Sequence, residues 1–187
     1  MKTVRVWDLP IRLFHWSLVV LIITAIMTAK TGGKKLEWHF LIGYATFVLV
    51  AFRILWGMIG SRYARFSSFL FAPGTIIAYV TNKDAARKKY LGHNPVGSLW
   101  IFALLGVVLL LIATGLFAND DIASEGPLAK FIDKDLSDRA TWLHVQVCGK
   151  LVYMLIGLHV AAIAYYYFIK KENLVIPMFT GDKTEDI

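Results

Sequence analysis

A single cysteine, Cys148, occurs in 187 residues. That excludes a disulfide within the chain and any dithiol redox pair, and with them the disulfide-shuttling membrane enzymes. Charge is scarce, at 18% of residues, and acid is scarcer than base, 13 against 20. A net charge of +7 would point to nucleic acid in a soluble chain. In so apolar a chain it points to anionic lipid and to membrane orientation, and no nucleic-acid partner is expected. No small-residue cleavage pattern follows the first apolar run, so that run is expected to remain as a helix and not to leave as a signal peptide. Internal repeats and low-complexity tracts are also missing.

What the chain has in abundance is apolar sequence: 57% of residues are hydrophobic and the mean hydropathy is +0.58. Four runs reach the roughly 20 residues needed to cross a bilayer core, about Leu13 to Ala29, Phe40 to Ile59, Val96 to Ala118 and Thr141 to Ile169. In lipid every backbone polar group must be satisfied internally, and continuous apolar runs choose helices over a barrel. The expected fold is all-α, one domain over residues 1–187, a bundle of four transmembrane helices.

Lysine and arginine outside these runs set the orientation. The side carrying both termini and the segment after the second run holds Lys2, Arg5, Arg12, Arg62, Arg65, Lys83, Arg87, Lys88, Lys89, Lys170, Lys171 and Lys183. The other side holds Lys30, Lys34, Lys35, Lys130, Lys134 and Arg139. Both termini are therefore expected in the cytoplasm of a multi-pass protein of the bacterial inner membrane. The segment 61–95 is too polar to cross. Its part from Phe66 to Val80 suits the membrane interface, and Asn82 to Tyr90 reads as a solvated basic turn.

This orientation sorts the histidines by depth. His15 falls at the inner end of the first helix, His39 at the outer end of the second, His144 near the outer face and His159 toward the inner. On a continuous α-helix His144 and His159 lie roughly 22 Å apart along the axis, with directions about 60° apart. One histidine in a membrane can equally serve a helix-to-helix hydrogen bond. Four that pair by depth, His15 with His159 and His39 with His144, read as ligands.

Two neutral imidazoles facing each other are what a six-coordinate haem iron takes, whereas structural zinc needs four protein ligands and catalytic zinc three. Two haem b groups are expected. Arg53, deep in the second helix, and Arg12, one turn before His15, are the charges for inner propionates; Arg12 equally suits a lipid headgroup. Lys150 suits the outer haem or a polar lumen. Gly43, one turn after His39, leaves room for a macrocycle. His93, in Gly92-His93-Asn94-Pro95, serves either as a cap at the start of the third helix or, with Asn94, as a quinone contact that gives or takes a proton. The tryptophans Trp16, Trp38, Trp56, Trp100 and Trp142 read as interfacial anchors, and Cys148 as a small packing residue.

Several stretches together resemble the bacterial cytochrome b561 family, which includes hydrogenase cytochrome b subunits. They are Arg-Val-Trp-Asp-Leu-Pro-Ile-Arg-Leu-Phe-His-Trp ending at Trp16, Glu37-Trp38-His39, Phe52-Arg53 to Trp56-Gly57, Gly-Ser-Arg-Tyr-Ala-Arg-Phe ending at Phe66, Gly92-His93-Asn94-Pro95, and Glu172-Asn173-Leu174. The resemblance implies four transmembrane helices, two b haems on His15, His39, His144 and His159, and electron exchange with membrane quinone. It implies transfer between that quinone and a periplasmic redox partner such as a c-type cytochrome. Two other functions stay open: superoxide-to-quinone oxidoreductase, with Lys30 to Lys35 drawing the anion, and membrane cytochrome subunit of a larger oxidoreductase such as a hydrogenase. A histidine-lined metal transporter is the competing binding function. Whether the chain is an enzyme in the strict sense, a quinone oxidoreductase, stays open as well.

Overall fold

Asp8 starts the first long helix. Its Oδ1 accepts the Ile11 amide at 2.9 Å, satisfying one of the orphan donors of a helix start, and Pro10 in the first turn has no amide to satisfy. The computed structural model of the chain describes residues 2–33, 35–82, 90–121 and 124–185. A short strand β1 (Lys2–Arg5) precedes α1 (Leu9–Thr31), which ends at Gly32 and Gly33. Their φ values of 60° and 56° are the left-handed cap that glycine adopts without a Cβ clash. The second helix α2 (Lys35–Ile59) follows at once.

After a single 3₁₀ turn at Phe66–Ser68 comes a short helix, α3 (Pro73–Thr81). Leu70, Ile77 and Val80 are exposed there, as the expected interfacial segment requires. Most of the basic turn expected from Asn82 to Tyr90, residues 83–89, lies outside the described residues. Next is α4 (Pro95–Phe117), with proline at its first position and the Asn94 side chain accepting the Gly97 amide at 2.7 Å. The loop beyond it is tied to the following helix: Asn119 donates through Nδ2 to Ser137 Oγ at 2.5 Å, and Ser137 in turn donates to the Phe117 carbonyl at 2.8 Å. Asp133 caps the last long helix through the Leu136 amide.

That helix, α5 (Lys134–Phe168), runs 35 residues. Its stretch Leu143–Cys148 is π-helical, with the Gly149 amide reaching back to the His144 carbonyl. The uniform α-helical angle expected between His144 and His159 is thereby altered, because an i→i+5 turn re-aims the side chains around it. A last short helix, α6 (Val175–Thr180), leads to strand β2 (Asp182–Glu185), which pairs antiparallel with β1. Arg5 clasps Asp182 through Nε at 2.9 Å and Nη2 at 3.2 Å. Four spans require both termini on one face of the membrane, and the β1–β2 pairing agrees.

Among the described residues four helices, α1, α2, α4 and α5, are long and apolar enough to cross a membrane. Their exposed residues, such as Val20, Met27, Val48 and Val160, are of the kind that lipid covers. They extend past the apolar runs because capping residues, Asp8 and Asp133 among them, nucleate each helix in the polar flank. The chain forms two compact units. The first, of Met1–Phe14, Phe52–Ala103 and Leu158–Ile187, has a core of Val6, Trp7, Ile11 and Ala64. The second, of His15–Ala51 and Leu104–Gly157, buries Val50, Val107, Val108, Cys148, Val152 and Leu155.

In the first unit Asp8 uses both oxygens, Oδ2 accepting from Trp56 Nε1 at 2.9 Å. Trp56 also stacks on Phe52, 6.0 Å between centroids, so it brackets the start of α1 and the end of α2. Asp8→Ala is expected to cost about 2 kcal/mol by loss of the cap and the indole bond, read as a lower thermal midpoint in detergent.

Candidate functional site

In the second unit, one turn into α2, His39 meets His144 from the π-helical stretch of α5. The two imidazoles stand 6.0 Å apart between centroids, with planes 88° apart. Each Nδ1 is taken up by a backbone carbonyl. His39 donates to the Ala25 carbonyl at 3.0 Å, and His144 to the Leu111 carbonyl at 2.9 Å. Thr114 Oγ1 lies 3.2 Å from the same His144 nitrogen while its own hydroxyl donates to the Leu110 carbonyl at 2.6 Å. Carbonyl acceptors on both rings assign the proton to Nδ1 and leave Nε2 as a bare lone pair, which is how proteins orient metal-binding imidazoles.

The spacing fits one iron between the rings. Metal–nitrogen bonds of about 2 Å on either side, added to ring radii of about 1.2 Å, separate two centroids by roughly 6.4 Å. Gly115 makes space for the His144 ring: a Cβ there would stand 3.0 Å from Cε1 and 3.2 Å from Nδ1. At Gly43 a Cβ would meet nothing within 4 Å, so this wall of α2 is thin where a macrocycle would lie. Among the described residues, no group of three or more His, Cys, Asp or Glu comes together to hold a metal ion. A pair of imidazoles is the donor set of a b haem. Lys150 is exposed.

The first unit holds Arg53, 5% exposed, its guanidinium 4.6 Å from the Phe66 ring centroid and 6.0 Å from that of Phe14. Its Nη1 is buried with no hydrogen-bond partner among the described residues. A buried guanidinium N–H needs an acceptor, and a haem propionate supplies one. Arg12 donates to the Phe179 carbonyl, which ties it to the C-terminal segment. His159 belongs to this unit and His15 to the other; both are half-buried, and His15 meets Trp16 edge-on at 5.1 Å.

His93, also in the first unit, sits between two aromatic rings, Trp7 at 4.5 Å and Phe69 at 4.7 Å. Its Nδ1 is buried and makes no hydrogen bond among the described residues. A cavity of about 310 Å³ opens beside it, walled by Tyr63, Phe69, Phe71, Tyr90 and His93 itself. Burial, then the positive charges of Arg53 and Lys183, push its pKa from 6.5 down to about 3, so the imidazole is neutral at physiological pH. Stability follows from the sign of that shift. Between pH 6.5 and about 3 the unfolded chain binds a proton that the folded chain refuses, so His93 makes the fold less stable as pH falls through this window. His93→Gln is expected to flatten that part of a thermal-midpoint profile recorded against pH.

Apolar runs and depth matching bring His39 and His144 together in sequence as they are in space. The carbonyl locks at Ala25 and Leu111, the Thr114 contact and the clearance at Gly115 carry no such signal. Trp7 was visible only as part of a motif, and its contact with His93 joins residues 86 positions apart.

The prokaryotic cytochrome b561 family model matches residues 6–181. Similar proteins include one from Rhizobium leguminosarum bv. viciae, 23% identical over 97% of this chain and 89% of that protein. Another, from Azotobacter chroococcum, is 24% identical over 95% and 87%, and a third, from Cupriavidus necator, 23% over 98% and 88%. All three are named as probable Ni/Fe-hydrogenase B-type cytochrome subunits. No solved structure matches.

Proposed function

Since the chain belongs to the prokaryotic cytochrome b561 family, and is a multi-pass bacterial membrane cytochrome of b type that serves electron transfer, we propose that it carries electrons between membrane quinone and a redox partner outside, through two bis-histidine haems. The observation that carries this reading is the His39–His144 pair, with Nδ1 of each ring held by a carbonyl and the rings 6.0 Å apart. A b haem bound between two imidazoles supplies one-electron transfer at an iron closed to small ligands.

The chain's own residues do the rest. His39 and His144 would hold the outer group, with the Ala25 and Leu111 carbonyls fixing the tautomer and the aim of each ring. By their depth in the sequence His15 and His159 would hold the inner one, and Arg53 would balance a propionate. His93 presents a neutral, desolvated imidazole to a quinone ring in the aromatic cavity beside it. Both termini and this cavity face the cytoplasm, by the excess of Lys and Arg on their side. The partner is a periplasmic c-type cytochrome or a similar redox protein.

Anaerobic mixing of the purified protein with a short-chain ubiquinol or menaquinol tests the reading. Haem reduction within the mixing experiment, slowed by His93→Gln, is the expected result; a protein that stays oxidised with both quinols contradicts it. The names of the relatives favour a second partner, a hydrogenase. Co-purification of this chain with a hydrogenase from its own membranes, and the absence of a c-type cytochrome from the same preparation, would decide for it.

A further inference from the structure

A file of polar side chains in the first unit takes no part in the haem sites. Glu172 accepts from Lys183 Nζ at 3.2 Å. The lysine side chain is only 15% exposed and the glutamate 50%, so the pair reaches from water into the protein. Tyr79, on α3, hydrogen-bonds through its hydroxyl to Tyr166. Burial first, then that bond and the nearby Tyr166, Tyr90 and Glu172, push the Tyr79 phenol up to about 12, and it stays neutral. The Tyr166 oxygen also accepts from Asn94 Nδ2 at 3.0 Å, and Asn94 adjoins His93 in the chain. Tyr90 lies 6.0 Å from Tyr79 and 5.7 Å from Phe71 between ring centroids, and it forms part of the cavity wall.

Phenylalanine would fill these places as well as tyrosine if packing were all that mattered. Three phenols lie between an ion pair that reaches water and a cavity wall, and a phenol hydroxyl can pass a proton on without ending ionised. We propose that Tyr79, Tyr166 and Tyr90 are a proton relay linking the Glu172–Lys183 pair to the cavity beside His93. The relay rests on the reading of that cavity as the quinone site.

The balance is simple. Reduction of the quinone takes two electrons from the chain's electron-transfer path and two protons. For each proton, an O–H bond forms at a quinone oxygen as the one at Tyr90 breaks. Tyr90 recovers a proton from the Tyr79–Tyr166 pair, and that pair recovers one from water through Glu172 and Lys183. The phenols end as they began, and one aqueous proton has entered per electron. Quinol oxidation runs the same file outward. Asn94 holds the Tyr166 oxygen in place and is a positioning residue.

Stopped-flow oxidation of the dithionite-reduced holoprotein by decylubiquinone tests this, with Tyr79→Phe, Tyr166→Phe and His93→Gln beside the unmodified chain. The relay predicts that both phenylalanine variants keep their haem spectra and the KM for decylubiquinone while kcat falls about 100-fold, with the slowed step slower again in deuterium oxide. Unchanged kcat in both variants overturns the relay. So does a fall in kcat accompanied by an altered haem spectrum, which is the mark of a structural role. His93→Gln separates the two levels: a raised KM there, with normal phenylalanine variants, leaves the quinone site standing and removes the relay. An unchanged KM for His93→Gln removes the site, and the relay with it.

Discussion

His144→Leu is expected to purify with half the haem of the unmodified protein, and His39→Leu with the same half. Each substitution removes one of the two imidazoles that face each other 6.0 Å apart, and a haem left with one axial imidazole in an apolar pocket is lost or becomes five-coordinate. The pairing makes a sharper statement through double variants. Combining His39→Leu with His144→Leu should remove no more haem than either alone, because both act on one cofactor. Combining His144→Leu with His159→Leu should remove all of it, because the two act on different cofactors and their losses add. Haem per chain and the reduced-minus-oxidised spectrum read both results. An additive loss in the His39 and His144 pair would separate the two residues.

Arg53→Met is the second change with a large effect, and its sign differs between the two forms of the protein. Within the chain Arg53 is a cost: it is buried, its Nη1 has no partner among the described residues, and the nearby Asp8 carboxylate acts on it by charge while accepting its hydrogen bonds from Ile11 and Trp56. Replacing an incompletely paired buried charge by an apolar side chain of similar length is neutral or stabilising. The apoprotein should therefore melt at the same temperature or higher. The holoprotein should lose its inner haem more readily, since the propionate then has no guanidinium. Where haem is kept, its midpoint potential should fall by about 60 mV, one tenfold step for one electron, because a nearby positive charge favours the reduced form. Arg53→Lys keeps the charge and gives up the planar fork, so it should hold the potential better than the affinity. Spectroelectrochemical titration of the three proteins reads the potential, and thermal scans with and without haem read the opposed stabilities. A fall in apoprotein stability would mean that Arg53 is satisfied within the fold.

The sequence reveals the four long helices because lipid accepts nothing else: runs such as Val96 to Ala118 have no other way to satisfy their amides. It also reveals His39 and His144 as a pair, because helices that cross a bilayer of fixed thickness turn position in the chain into depth. Their local aim is another matter. The π-helical turn at Leu143–Cys148, with Gly149 and Gly115 both close to His144, has no composition of its own, so a uniform helical angle misplaces His144 relative to His159. The carbonyls of Ala25 and Leu111 that lock the two rings belong to residues of no special chemistry. His93 shows the same limit from the other side. Its motif is visible, whereas its neutral, enclosed state depends on Trp7 and Phe69, brought to it by tertiary structure. Trp56, expected as an anchor at the membrane surface, is in addition held by Asp8, a contact between residues 48 positions apart that no local pattern announces.

On the proposed function the chain holds two b haems, one on each depth-matched pair of histidines. A pyridine haemochrome determination of haem b per chain, made on the purified protein with its concentration fixed by amino-acid analysis, addresses it most directly. Two haems b per chain is the result expected. One haem per chain would contradict it, leaving only the His39–His144 pair or an unforeseen site as the electron path.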